Sequence, residues 1–256
     1  VRRRRWARGM KVIGVYNIKG GVGKTAAAVN LGYLAAAEGL RTLIWDLDPQ
    51  AAATFYLRVQ PKVRKARKVL AGRLDAANAI KGSDFERLDL LPADFAYRNM
   101  DILFGGARKP RQQLRRMLRP FAADYDMVIL DCAPSVSLVS ENVFLATRML
   151  LVPVIPTVLS LRTLSQLLDF FEHEKLSQKR IHPFFSMAER RKRLHRETMA
   201  SPPESRVDFL NSFIPFLADV ERMGVERAPV ASFAPRSAAA AAYRRLWTEI
   251  RDAVPD

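Results

Sequence analysis

Cysteine is almost absent, with one residue, Cys132, in 256. That excludes an internal disulfide framework and any iron–sulfur cluster held by several thiolates, and it suits a cytoplasmic protein. The histidines are three, His173, His182 and His195, and they show no metal-ligand spacing. Long apolar runs are missing as well. No stretch approaches the ~20 residues that span a bilayer. The nearest candidate, Leu150–Leu161, is interrupted by Pro153 and Pro156 and reads as a buried strand and turn. Arg2–Arg5 are not followed by an apolar segment, so they do not read as a secretory leader. Residues 1–9 read as a basic extension, and 10–256 as one domain. Hydrophobic residues make up 49% of the chain, which excludes general disorder and suffices for one full core.

Acidic residues are also scarce, with 26 Asp+Glu against 42 Lys+Arg and a net charge of +16. The positive charge is clustered at Lys62–Lys68, Arg108–Arg119 and Lys179–Arg196, with Arg190-Arg191-Lys192-Arg193 inside the last. Basic surfaces of this kind bind phosphate backbones through counterion release, without reading sequence. No helix-turn-helix or zinc-finger pattern accompanies them, so sequence-specific recognition is not expected.

Against this background one segment stands out. Lys19-Gly20-Gly21-Val22-Gly23-Lys24-Thr25 follows the apolar run Val12–Tyr16 and precedes the alanine-rich helical pattern Ala26–Glu38. A strand, a glycine turn and a helix N-terminus in this order aim backbone N–H groups and the positive helix end at phosphate oxygens. Gly20, Gly21 and Gly23 admit the backbone angles and close approach that a Cβ would block. Lys24 suits the β- and γ-phosphates, and the Thr25 hydroxyl suits Mg²⁺. The strict phosphate-loop pattern needs glycine at position 18 and finds Ile18, so this is a variant with an additional Lys19.

Two further segments end apolar runs in carboxylates. Thr42–Gln50 closes with Asp46-Leu47-Asp48-Pro49-Gln50, and Met127–Pro134 closes with Asp131-Cys132-Ala133-Pro134. Strand ends are where parallel α/β sheets build sites. Asp48 suits the orientation of an attacking water or of a metal-bound water, with Asp46 beside it. An Asp-Pro turn capping the next helix fits the same residues. Asp131 suits a Walker B acid acting on Mg²⁺.

Patterning predicts strands near 11–16, 41–46, 87–91, 127–131, 149–154, 181–187 and 210–214. Helices are predicted near 24–38, 51–57, 73–80, 97–103, 110–123, 136–146, 161–175, 189–199 and 236–253. The alternation implies an α/β fold, a single domain whose twisted, mostly parallel sheet carries helices on both faces, and the glycine loop makes it resemble the P-loop NTPase type. Lys62–Lys68 reads as a basic connection and Pro202-Pro203-Glu204-Ser205 as a surface turn. Trp45 reads as core and Cys132 as an inert buried thiol.

The three motifs together resemble the ParA/MinD family of deviant Walker A ATPases. Lys19–Thr25, Asp46–Gln50 and Val128–Ser135 carry the resemblance, with Ala234-Pro235-Arg236-Ser237 and Ala242-Tyr243 matching late family features, and it is closer to ParA than to MinD. It implies ATP and Mg²⁺ as cofactors. It implies that Gly20–Ala26 hold the nucleotide and that Lys24 and Thr25 bind phosphate and metal. Asp48 and Asp131 would support hydrolysis and reach the metal through water. Lys19 matches the signature lysine that crosses a dimer interface to the partner's phosphates. Met187-Ala188-Glu189 and Ile214-Pro215-Phe216 fall where relatives wrap adenine, Met187 and Pro215 in particular, although core packing accounts for the same residues. Ala26 stands where many relatives carry a second threonine, and Asn17-Ile18-Lys19 replaces the usual Asn-Gln-Lys.

The resemblance further implies a homodimer when ATP is bound, non-specific DNA binding, and a ParB-like or adaptor partner that stimulates hydrolysis. By position, the expected DNA contacts are Arg191, Arg193, Arg222 and Arg245. Localisation would be cytoplasmic and nucleoid-associated, with a plasmid, a chromosome or a protein organelle such as a carboxysome as cargo. A MinD-like membrane-associated ATPase is the alternative. It needs an amphipathic C-terminal helix, and Leu246–Asp256 has few apolar residues after Trp247.

Overall fold

The computed structural model describes residues 9–64, 66–71, 73–200 and 206–254. Arg2–Arg5, the Pro202–Ser205 turn, Lys65 and the last two residues lie outside the described residues.

The chain order is β1 (Lys11–Val15), α1 (Lys24–Ala37), β2 (Thr42–Asp46), α2 (Ala52–Tyr56), α3 (Ala66–Leu70), β3 (Lys81–Gly82), β4 (Leu88–Leu91), α4 (Met100–Gly105) and α5 (Gln113–Leu118). It continues with β5 (Met127–Asp131), α6 (Leu138–Ala146), β6 (Met149–Val154), α7 (Val158–His173), β7 (Ile181–Phe185) and α8 (Arg193–Ala200). The last helices are α9 (Ala218–Glu221), α10 (Met223–Glu226), α11 (Val230–Phe233) and α12 (Ala238–Ala253). One seven-stranded sheet runs in the order β3-β4-β2-β5-β1-β6-β7, parallel except for the two-residue β3.

The sheet separates two apolar layers, and the strands supply both because successive side chains alternate faces. In β2, Leu43 and Trp45 enter the layer that contains Phe104, Phe121 and Phe171, while Ile44 enters the layer that contains Tyr243, Leu246 and Trp247. β5 alternates likewise, with Val128 and Leu130 on one side and Met127 and Ile129 on the other. Strands buried on both faces read as continuous apolar runs, which is why their positions are evident in the sequence.

Elsewhere the structure corrects the sequence reading. Residues 210–214 form no strand. They run beside the edge strand β7, with Leu210 N–H donating to Pro183 O and Ile214 N–H to Phe185 O, both at 2.8 Å. Pro183 has no N–H to return, so a regular ladder cannot form. The helix expected over 110–123 is broken into a 3-10 turn, the six-residue α5 and a second 3-10 turn at Arg119–Ala123, because Pro120 interrupts it. The helix expected over 73–80 is a single 3-10 turn at Ala76–Ala79, capped by Asp75 Oδ1 on Ala77 N–H at 2.9 Å. The basic connection contains α3.

Candidate functional site

The C-terminal ends of β1, β2, β5 and β7 converge on one end of the sheet. β1 runs into the glycine loop, where Gly21 and Gly23 have φ of 68° and 89°, and Gly23 caps α1. A Cβ at Gly23 would sit 2.9 Å from Ser186 Oγ, so both conformation and space select glycine. Asn17 anchors the loop. Its Nδ2 donates to Pro153 O at 2.8 Å and its Oδ1 accepts from Lys19 N–H at 2.9 Å. Lys24 is buried and its ammonium donates to Lys19 O at 2.9 Å. Burial lowers the Lys24 pKa, and the negative charge of Asp131 opposes that shift.

Asp46 and Asp131 are register partners on adjacent strands β2 and β5. Their environments differ. Asp46 Oδ2 accepts from Thr54 N–H at 2.8 Å and from Thr54 Oγ1 at 2.6 Å, and its Oδ1 accepts from Asp48 N–H at 3.2 Å. Thr54 Oγ1 in turn accepts from Ala93 N–H. Asp46 is therefore the brace of the β2–α2 loop. Asp131 is fully buried, and neither carboxylate oxygen has a hydrogen-bond partner. Burial and the neighbouring charge of Asp46 raise its pKa well above the usual range, while the Thr25 side chain opposes the shift. Two orphaned oxygens beside a threonine hydroxyl form a hard-oxygen donor set of the kind that suits Mg²⁺ and its bound waters. Asp48 is partly exposed above them, with Oδ1 accepting from Gln50 N–H at 2.9 Å.

Over the loop opens a cavity of about 340 Å³. The structure brings Gly20, Gly21, Gly23–Ala26 and Asp48 to its wall together with Met187 and Pro215. Ala188 and Pro215 are joined by an isolated bridge that holds the two distant segments side by side. Tyr56, Tyr243 and Ser186 also line it and were not picked out by sequence. Val22 lies buried beneath, and Lys19 stands outside the wall with its ammonium 3.4 Å from Ser160 Oγ. A concave, partly apolar chamber over a glycine loop suits a base and ribose with phosphates below.

Residues 10–183 match the family described as AAA domain. The chain belongs to the ParA/MinD family of P-loop ATPases. Among the relatives of this ParA/MinD chain, the sporulation initiation inhibitor protein Soj of Bacillus subtilis is 35% identical over 161 residues, 62% of this chain and 64% of Soj. The chromosome partitioning protein ParA of Caulobacter vibrioides is 32% identical over 167 residues, 64% of this chain and 62% of that protein. Both alignments span less than two thirds of the relative. Among solved structures, cobyrinic acid a,c-diamide synthase of Mycobacterium smegmatis with bound ATP analogue and magnesium superposes with a TM-score of 0.81 at 25% identity, covering 93% of each chain.

The four arginines expected to meet DNA differ in their ion pairing. Arg193 pairs with Glu197 at 2.6 Å, and Arg222 pairs with Glu226 at 2.6 Å and lies 5.6 Å from the Phe233 ring centre. Arg191 and Arg245 are exposed and make no ion pair with a described carboxylate. Among the histidines, His195 is buried and its Nδ1 accepts from Glu189 N–H at 3.1 Å.

Glu249 on α12 is a further support that the sequence did not disclose. Its carboxylate accepts from the N–H groups of Asn211 and Ser212 at 2.6 and 2.8 Å, and so tethers the segment leading to Pro215. Partial burial opposes ionisation, but these hydrogen bonds prevail and hold its pKa below the ordinary 4.5. A depressed acid stabilises the fold above its unfolded pKa and loses that contribution as pH falls through the folded value. Glu249→Gln is therefore expected to cost about 1.5–3 kcal/mol at pH 7, the range for hydrogen bonds to charged groups. Chemical denaturation at pH 7 and at pH 3.5 checks this, the difference between wild type and variant shrinking at the lower pH.

Asp131→Asn has the opposite expected sign without nucleotide. A raised carboxyl pKa means a penalty absent below the usual 3.8 and growing as pH rises through the folded value. Removing a buried unpaired charge is expected to stabilise the free protein by about 1–3 kcal/mol at pH 8, or about 2–4 °C per kcal/mol in a chain of this size. A melting curve with and without Mg²⁺ and ATP checks it, the ligand-induced rise being smaller in the variant.

Proposed function

We propose that this chain binds ATP and Mg²⁺ in the cavity over Gly20–Ala26 and hydrolyses ATP as a dimer switch. In this reading 10–256 form the ATPase domain and 1–9 a basic extension. Backbone N–H groups of the loop and the Lys24 ammonium hold the phosphates. The Thr25 hydroxyl ligates magnesium directly, while Asp131 and Asp48 act on its bound water. The metal supplies charge neutralisation at the transferring phosphate. Asp48, beside the phosphate end and partly solvated, orients the attacking water. Met187 and Pro215 close over the base. Such chemistry is mostly positioning and charge stabilisation, so slow intrinsic turnover is expected.

The observation that carries the switch is the placement of Lys19. Its ammonium is outside its own cavity and is held by one long hydrogen bond to Ser160 at 3.4 Å. Nearby in sequence to its partner Ser160 and to the Asp131 loop are Val158, Leu159 and Val136, which are 68%, 68% and 56% exposed. Exposed apolar side chains next in sequence to the partner of a loosely held lysine support a second copy docking there, with each Lys19 reaching the other's phosphates. The ATP-bound dimer then binds DNA non-specifically through basic residues that include Arg191, Arg193, Arg222 and Arg245. In this reading it works in the cytoplasm, on the nucleoid. A ParB-like or adaptor partner stimulates hydrolysis and carries a plasmid, a chromosome or a protein organelle.

No helix among the described residues is long and apolar enough to cross a membrane. The apolar face of α12, with Tyr243, Leu246, Trp247 and Ile250, is buried in the core, which weighs against a MinD-like membrane helix. The test is light scattering of the protein with ATP·Mg²⁺ and with ADP·Mg²⁺. The reading requires a doubling of mass with ATP alone, and an unchanged monomer with both would sink it.

A further inference from the structure

The opposite end of the sheet carries a second concave surface. Strands β1, β6 and β7 begin there, and a cavity of about 670 Å³ lies against their first residues. Its charged lining is Arg115, Arg119, Arg148, Lys179 and Arg180. An adjoining cavity of about 630 Å³ shares Arg115 and Arg119 and adds Arg108, Lys109 and Arg116. Among the described residues, no aspartate or glutamate lines either one. Arg115, Arg116, Arg119 and Lys179 are exposed and make no ion pair with a described carboxylate. Their neighbour Arg111, facing the other way, is paired to Glu141 at 2.8 Å and Glu174 at 2.9 Å. The contrast shows that carboxylates are present near this helix but not toward the cavities.

The wall of the larger cavity also holds a buried hydroxyl. Thr147, 2% exposed, lines the larger cavity, and its hydroxyl has no hydrogen-bond partner. Its carbonyl accepts from Arg180 Nη1 at 3.2 Å, which fixes that guanidinium at the cavity wall. Buried hydroxyls are ordinarily satisfied.

We propose that the joined cavities seat the phosphate backbone of duplex DNA, independently of the nucleotide state. The proposal rests on the nucleic-acid reading of the basic charge given above but assigns a different surface from the four arginines named there. Two adjoining concave sites joined through Arg115 and Arg119 fit successive phosphates along one strand. A bilayer is a poor fit, because none of the strongly exposed large apolar side chains lines these cavities and a planar membrane does not enter them. Single-stranded nucleic acid is disfavoured because no described residue of either lining is aromatic and able to stack on a base. None of the lining residues belongs to the loops that form the ATP cavity, so occupancy there need not reshape this surface.

The test is fluorescence anisotropy of a labelled random-sequence duplex titrated with the full chain, across a salt series, without nucleotide and with ATP·Mg²⁺. The triple variant Arg115→Gln, Arg119→Gln, Lys179→Gln is expected to bind at least about tenfold more weakly without nucleotide. Its slope of log affinity against log salt is expected to be shallower by about 0.9 per lost contact. Arg115→Lys with Arg119→Lys is expected to keep the wild-type slope, and unchanged melting curves would show that the variants fold. Any ATP-dependent gain in affinity survives in the triple variant. If wild type shows no ATP-dependent gain, the switch fails while this surface stands. Unchanged nucleotide-free affinity and slope in the triple variant overturn the proposal. So does a variant that loses only sedimentation with phosphatidylglycerol vesicles, which would make the surface a membrane contact.

Discussion

Lys19→Ala is expected to bind ATP with near wild-type affinity and yet fail to dimerise. The side chain stands outside the wall of its own cavity, so its removal leaves the loop, Lys24 and Thr25 in place. Only the backbone of Lys19 contributes to the cradle, through its carbonyl on Lys24 Nζ and its N–H on Asn17, and alanine keeps both. In the proposed dimer, what would be lost is a charge-assisted contact to the partner's phosphates. Truncating one member of such a buried charged pair costs about 2–5 kcal/mol, or roughly 30-fold to several thousand-fold at 1.4 kcal/mol per tenfold, and the symmetric dimer would lose two such contacts. Fluorescent-nucleotide titration and sedimentation velocity with ATP·Mg²⁺ separate the two effects. Normal ATP-dependent dimerisation of the variant would remove Lys19 from the mechanism.

Asp48→Ala is expected to bind ATP within a few-fold of wild type and to lose turnover by about 10²–10⁴-fold, the usual contribution of a residue that positions or deprotonates the nucleophile. The substitution leaves the loop built, because Asp46, not Asp48, makes the bonds to Thr54 that brace it. The one side-chain bond lost is that from Gln50 N–H. Asp46→Ala is expected instead to behave as a stability mutant. Phosphate release at saturating ATP, together with melting temperature, tells the two aspartates apart.

That separation of Asp46 from Asp48 marks where sequence reading stopped. The run Thr42–Asp48 announces a strand ending in carboxylates, but Thr54, which selects between them, lies eight residues from Asp46 on α2. The glycine loop and the central strands were legible because their chemistry is local: glycine at positive φ, apolar runs buried on both faces. Strand β5 falls at 127–131 and β6 at 149–154, as the apolar runs indicate. The segment 210–214 misled because its apolar residues pack beside β7 without a ladder, Pro183 having no N–H to offer. The cavity wall from Tyr56, Ser186 and Tyr243 is built by contacts between elements far apart in the chain, which no local pattern records. The charge clusters were visible, but not their pairing. Arg222 and Arg193 carry a carboxylate four residues on that takes up much of their charge, whereas Arg115 and Arg119 carry none.

The central claim is that ATP in the cavity over Gly20–Ala26 controls attachment to DNA. Affinity of the full chain for random-sequence duplex DNA, compared between ATP·Mg²⁺ and ADP·Mg²⁺ at one fixed salt concentration, tests it most directly. Binding at least about tenfold tighter with ATP is the predicted result, as expected when a dimer doubles the phosphate contacts of a monomer. Equal affinity in the two nucleotides would contradict the account.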